Sequence, residues 1–203
     1  METLALNALI ETAAKTAYSY NEYREMTSNL LAQGKVTGTE QSEDLLAYGE
    51  LNERRMQRWE KTLKITEEDQ KRMKSFSGDM LWLVISESWC GDAAHNLPVI
   101  NKLADLNPAI NLKVVLRDEN LNLMDEFLTN GGRSIPKLIL FDTKAEKLLG
   151  TWGPRPEEAT RLVLDYKEKH GKIDEQIKED LQRWYNKDKG QLLITEVLKI
   201  LGV

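Results

Sequence analysis

The spacing of apolar side chains changes once along the chain, near residue 79. Before that point they recur every three or four positions, the period of a helix with one buried face. Leu6, Ile10, Ala13, Ala14 and Ala17 predict a helix over 3–18, and a shorter one follows over 21–31, ahead of Gly34 and Gly38. Leu45, Tyr48, Met56, Trp59 and Leu63 mark an amphipathic helix of about five turns. Thr66 and Asp69 have the spacing of a capping box, which opens a fourth helix running towards Phe76. Beyond residue 79 come apolar runs of strand length, at 81–85, 112–116, 137–141 and 147–151. Stretches of helical length, 91–106 and 121–128, separate the first three of them. A strand–helix–strand unit of this size predicts a right-handed crossover with parallel strands. The link from Asp142 to Glu146 is short enough for a hairpin, so the last two strands are expected to be antiparallel.

Pro154 and Pro156 then open a helix whose Ala159, Leu162, Val163 and Tyr166 share a face, stopped by Gly171. Ile173, Ile177, Leu181 and Trp184 mark another helix, and Leu193, Val197 and Ile200 mark a last one after Gly190. The pattern therefore predicts an α/β protein. A helical N-terminal extension spans 1–78, a mixed sheet of four or five strands forms the core over 79–169, and a helical C-terminal extension packs on it over 170–203.

Composition narrows the function classes. The chain has 203 residues, enough to bury about 70% of its unfolded surface without staples. Twenty-eight basic and thirty-three acidic side chains give a net charge of −5, spread evenly, which removes the electrostatic case for nucleic acid or an anionic membrane. No apolar run approaches the roughly 20 residues that span a bilayer. Glu2 and the lack of lysine or arginine before Lys15 speak against a signal peptide, so a cytoplasmic protein, monomer or homodimer, is expected. The single cysteine forbids an intramolecular disulfide.

That cysteine sits where chemistry is plausible. Trp89-Cys90-Gly91-Asp92-Ala93 follows the first strand and opens the first core helix. The free N–H groups and positive dipole end of a helix favour thiolate over thiol and would lower the pKa from about 8.5. Gly91 permits close approach of a partner, and Trp89 offers an apolar flank for it. The competing reading is that a lone cysteine is a small buried hydrophobe.

The segment Ser86–Ala93 resembles the thioredoxin active site, a strand followed by Trp-Cys-Gly-Pro-Cys. Pro98 stands where thioredoxins commonly carry the proline that kinks the active-site helix, and Arg133-Ser134-Ile135-Pro136 resembles the segment that bears their cis-proline. The resemblance covers about residues 79–169. It implies a thioredoxin-like core with a cis Ile135–Pro136 bond facing Cys90, and an Ile135 backbone that pairs with an extended substrate. Ala93 replaces the resolving cysteine and Val84 the buried aspartate that assists proton transfer, so a dithiol cycle is excluded. What the resemblance leaves is monothiol chemistry. Cys90 would exchange with protein disulfides, and a small thiol such as glutathione would resolve the product.

Four residues are candidate modulators. Asp92 favours the first helical turn yet puts negative charge beside the thiol. His95, three residues on, can meet Asp92 on the helix face. Asp118 ends the second strand on the ligand-binding edge of such sheets, and Arg133 is a candidate for holding a carboxylate. Asn120 is expected to cap the helix starting at Leu121. Cys90, Asp92 and His95 are too few and too poorly spaced for a metal, and no cofactor is expected. Two functions stay open: a monothiol disulfide oxidoreductase, and a redox-inactive thioredoxin fold that binds a peptide or protein. An exposed, acidified Cys90 favours the first. A buried one, or helices laid over the groove, favours the second.

Overall fold

The computed structural model describes residues 2–203. Helix α1 (Glu2–Lys15) is followed by α2 (Tyr20–Ala32), α3 (Glu43–Thr62) and α4 (Glu67–Ser75). Strand β1 (Met80–Ser86), helix α5 (Gly91–Ala104), strand β2 (Ile110–Leu116) and the one-turn α6 (Leu121–Asp125) come next. Then follow β3 (Lys137–Asp142), β4 (Lys147–Trp152), α7 (Glu157–His170), α8 (Glu175–Asp188) and α9 (Gln191–Leu201). The four strands form one mixed sheet in the order β2-β1-β3-β4, with β1 parallel to β2 and antiparallel to β3, and β3 antiparallel to β4. This is the thioredoxin-like arrangement with helical extensions at both ends.

Strand β1 lies between two strands and is buried on both faces, which is why its sequence is apolar without interruption. Its alternate side chains serve two clusters. Trp82 and Val84 pack with Trp59, Leu97, Ile100, Leu193 and Val197, so α3, α5 and α9 cover that face. Leu81, Leu83 and Ile85 pack with Ile10, Ala13, Leu123, Met124 and Phe127, so α1 and α6 cover the other. Both terminal extensions therefore complete the core.

Two local details depart from the sequence pattern, each for a visible reason. Helix α1 ends at Lys15 instead of continuing to 18, because Tyr18 pairs with the outer edge of β2: its N–H donates to the Val114 carbonyl at 2.9 Å, and the Val114 N–H returns the bond at 2.8 Å. Ser19 and Glu22 then close a reciprocal capping box that starts α2. Ile173, expected on the face of α8, is 52% exposed, since Asp174 takes the N-cap and the helix begins after it. Thr66 caps α4 as its spacing predicts, accepting the Asp69 N–H at 3.1 Å.

Candidate functional site around Cys90

Cys90 is the N-cap of α5, four residues past the end of β1. The Ile135–Pro136 bond is cis and brings the Ile135 carbonyl to 3.2 Å from the Cys90 sulfur, which donates its S–H to it. The same sulfur accepts the Ala93 N–H at 3.5 Å. The Ile135 N–H makes no hydrogen bond among the described residues. A second cis bond, Gly153–Pro154, backs the first: Gly153 has φ +113°, and a Cβ there would lie 2.2 Å from the Pro136 carbonyl oxygen. Only glycine fits that close approach.

The electrostatics run opposite to the expectation from the helix end. Cys90 is 8% exposed, among Ala93, Leu123, Phe127 and Ile135. Burial pushes its thiol up to about 12; the Asp92 charge adds to the rise, and the Ala93 and Asp92 N–H groups oppose it without prevailing. Desolvation of the thiolate outweighs the helix dipole here, and the Arg155 charge that also favours the thiolate is taken up by its pair with Asp92. The thiol is a neutral donor at rest.

Asp92 faces away from solvent and belongs to a buried network. Its Oδ2 pairs with Arg155 Nη2 at 2.6 Å, and its Oδ1 accepts the Tyr185 hydroxyl at 2.9 Å. Asn96 Nδ2 donates to the same hydroxyl at 3.1 Å. Burial raises the Asp92 carboxyl above its usual value even though Arg155 and Tyr185 favour the anion. Asp92 thus anchors α8 and the α7 approach to the cysteine helix, with its influence on the thiol secondary.

His95 is equally structural. Trp59 Nε1 donates to its Nδ1 at 2.9 Å, so the ring proton must lie on Nε2, which donates to Gln182 Oε1 at 3.0 Å. The ring stacks on Tyr185 at 4.3 Å. Burial, helped by the nearby Arg55 charge, lowers its pKa to about 3. No hydrogen bond joins it to Asp92 among the described residues, so the helix-face contact that the spacing suggested is absent.

The N-terminal extension covers the other side of the turn. Thr37, between α2 and α3, and Ser88 exchange bonds: Thr37 N–H to Ser88 Oγ at 3.1 Å, and Ser88 N–H to Thr37 Oγ1 at 2.8 Å. Asn52 Nδ2 donates to the Ser88 carbonyl at 3.0 Å. Arg55, bonded to Asn52 at 3.0 Å, stands over Gly91, where an added Cβ would meet its Nη1 at 3.4 Å. Trp89 is half-buried, with the Arg117 guanidinium 4.9 Å above its ring.

Three further candidates are placed as follows, and only Asn120 departs from its expected role. Arg133 is exposed and holds the Asp125 carboxylate through two bonds of 2.6 and 2.8 Å. Asp118 pairs with Arg117 at 2.8 Å and lies beside buried Glu87. Asn120 makes no cap; its Nδ2 donates back to the Leu116 carbonyl at 2.8 Å, closing the turn after β2. Arg155, Tyr185, Gln182 and Glu87 carry no signal of the site in the local sequence. All but Glu87 lie more than 60 positions from Cys90, and no local pattern joins them to it.

A four-stranded core with a cysteine N-cap facing a cis-proline defines the thioredoxin class, and sequence comparison agrees. Residues 38–172 match a family described as Thioredoxin, and the chain belongs to that family. No curated protein sequence matches the chain. A Pseudomonas aeruginosa protein of unknown function, known from its crystal structure, is similar with a TM-score of 0.57 and 21% identity, covering 91% of this chain and 98% of its own. The crystal structure of an HIV epitope-scaffold is similar to the same degree, with a TM-score of 0.57 and 18% identity over 91% of this chain and 98% of the scaffold. At these identities the likeness is one of fold.

Proposed function

We propose that the chain is a redox-inactive thioredoxin-fold protein that serves as a peptide- or protein-binding module. The observation that carries this reading is the closed thiol: Cys90 is 8% exposed, donates to the Ile135 carbonyl, and is pushed up to about 12. With such a value the thiolate fraction near pH 7 is on the order of one in 100,000, too small to sustain thiol exchange. The Ile135 N–H, unpaired among the described residues, is the donor offered to an extended partner backbone; with Ile135 6% exposed, that pairing requires the edge beside the cis bond to open. The single cysteine fits a reducing, cytoplasmic setting.

A second reading, monothiol exchange, is favoured by one observation, the N-cap position of Cys90 opposite the cis-proline. In that cycle the Cys90 sulfur attacks a partner disulfide and forms a mixed disulfide, and the expelled thiolate takes up a proton. Glutathione then attacks the mixed disulfide and releases Cys90, and a second glutathione takes the first from its product, leaving oxidised glutathione.

The pH dependence of Cys90 alkylation, with Cys90→Ser as blank, separates the two. The binding-module reading expects labelling at pH 7–8 at least 1,000-fold slower than in the urea-unfolded chain, still rising at pH 10. Rapid labelling with an apparent pKa below about 7.5 overturns it in favour of exchange. Binding itself is read from the Ile135 amide NMR shift against a library of blocked extended hexapeptides. A saturable shift supports the groove, and its absence across the library counts against it.

A further inference from the structure

The turn that leads to Cys90 contains a carboxyl with no evident reason to be buried. Glu87 is 0% exposed. Its Oε1 accepts the Asp118 backbone N–H at 3.0 Å, but its Oε2 is buried and no hydrogen bond reaches it. An unpaired carboxylate oxygen in the interior is costly, and a proton on that oxygen removes the cost. Oε2 points at the strap of residues 36–38 between α2 and α3. A Cβ on Gly38 would lie 3.6 Å from Glu87 Oε2 and 2.6 Å from Asp118 Oδ2, so two carboxyl oxygens converge on this glycine, whose φ is +88°. The strap is the segment whose Thr37 exchanges hydrogen bonds with Ser88.

We propose that Glu87 is held as a neutral acid beneath the 36–38 strap, so that the strap loosens as the pH rises and the buried carboxyl, losing its proton, draws in water. The groups facing Glu87 are consistent with this. Burial raises its carboxyl and outweighs the Thr37 hydroxyl and the Asp118 N–H, which favour the anion; the Asp118 charge adds to the rise, and Arg117, already paired with Asp118, opposes it. Helix α2 contributes Tyr23 and the turn itself contributes Cys90, both raised by burial and uncharged near neutrality. No lysine or arginine forms an ion pair with Glu87 among the described residues. The sign follows. An acid raised in the closed state holds its proton more tightly there than when opened to water. Closure is therefore strongest in acid, and weakens between the ordinary carboxyl value and the raised one.

The test is hydrogen–deuterium exchange of the amides of residues 36–38 and Ser88 in the full chain from pH 5 to 9, corrected for the chemical pH dependence of exchange. The wild type should open more with rising pH, by up to about tenfold per unit within the sensitive window. Glu87→Gln, which keeps a donor that cannot ionise, should flatten the profile. A flat wild-type profile, or an equally steep one in the variant, overturns the proposal. Should Glu87→Gln lose its near-ultraviolet circular dichroism and so fail to fold, Asp118→Asn decides. Removing that facing charge should end the sensitive window at a lower pH, and an unmoved window overturns the proposal.

Discussion

Asp92→Ala is expected to destabilise the protein by about 3 kcal/mol, the low end of what breaking a buried ion pair costs. Asp92 has a 9% exposed side chain, and its Arg155 partner is 25% exposed, so water recovers part of the loss. The variant leaves the Arg155 charge uncompensated and removes the acceptor of the Tyr185 hydroxyl. Urea unfolding at pH 7 checks it: the midpoint should fall without a large change in slope. Asp92→Asn, which can still accept from Tyr185, should lose less. A midpoint unmoved by the alanine substitution would show that Asp92 is not the anchor of α8 described above. If the alkylation rate also stays low in the alanine variant, the closure of Cys90 owes more to packing than to the Asp92 charge.

The second large effect lies in acid. His95 is held neutral in the fold, with its pKa lowered to about 3 by burial, whereas in the unfolded chain it titrates near 6.5. Below pH 6.5 the unfolded chain therefore binds a proton that the folded one refuses. Stability contributed by neutral His95 is complete above that pH and is lost as the pH falls, at about 1.4 kcal/mol per unit, down to the folded value. Between pH 6 and 4 the loss should reach roughly 2–3 kcal/mol. His95→Gln removes the titration and keeps hydrogen-bonding atoms near Trp59 and Gln182. Its stability should be lower than wild type at pH 7, with a shallower decline towards pH 4. Parallel declines in the two proteins would mean that His95 is protonated in the fold and that the Trp59 bond to Nδ1 is not present in solution.

The fold was readable because its signals are local. The unbroken apolar run of β1 announces a strand covered on both faces, and the change from helical to strand period near residue 79 locates the sheet. The cis bond before Pro136 was anticipated from a four-residue segment that resembles a known family, and its placement against Cys90 came with it. The state of the site was not readable in the same way. The helix start alone predicts a lowered thiol pKa, and that inference fails because the sign is set by burial. Burial at Cys90 depends on Ile135, 45 positions away, and the orientation of Asp92 on Tyr185, 93 positions away. His95 likewise takes its tautomer from Trp59 and its second partner from Gln182, 87 positions on. Local sequence gives no weight to partners at such separations. Glu87 was passed over for a simpler reason: a glutamate in a turn reads as solvated, and only the packed structure reveals it as buried.

The pairing of Tyr18 with Val114 has a consequence for assembly. A sheet with two bare margins can grow in either direction, and adhesion between copies is the usual hazard. Here the β2 margin is interrupted at its middle by the chain's own backbone, which spends both hydrogen-bonding groups of Val114. The opposite margin, β4, is six residues long, begins at an exposed lysine, and meets β3 with an irregular register at Leu140/Phe141. Any strand that adds to this protein is therefore steered to the β4 side, where the short, irregular and charged margin limits how far a ladder can extend.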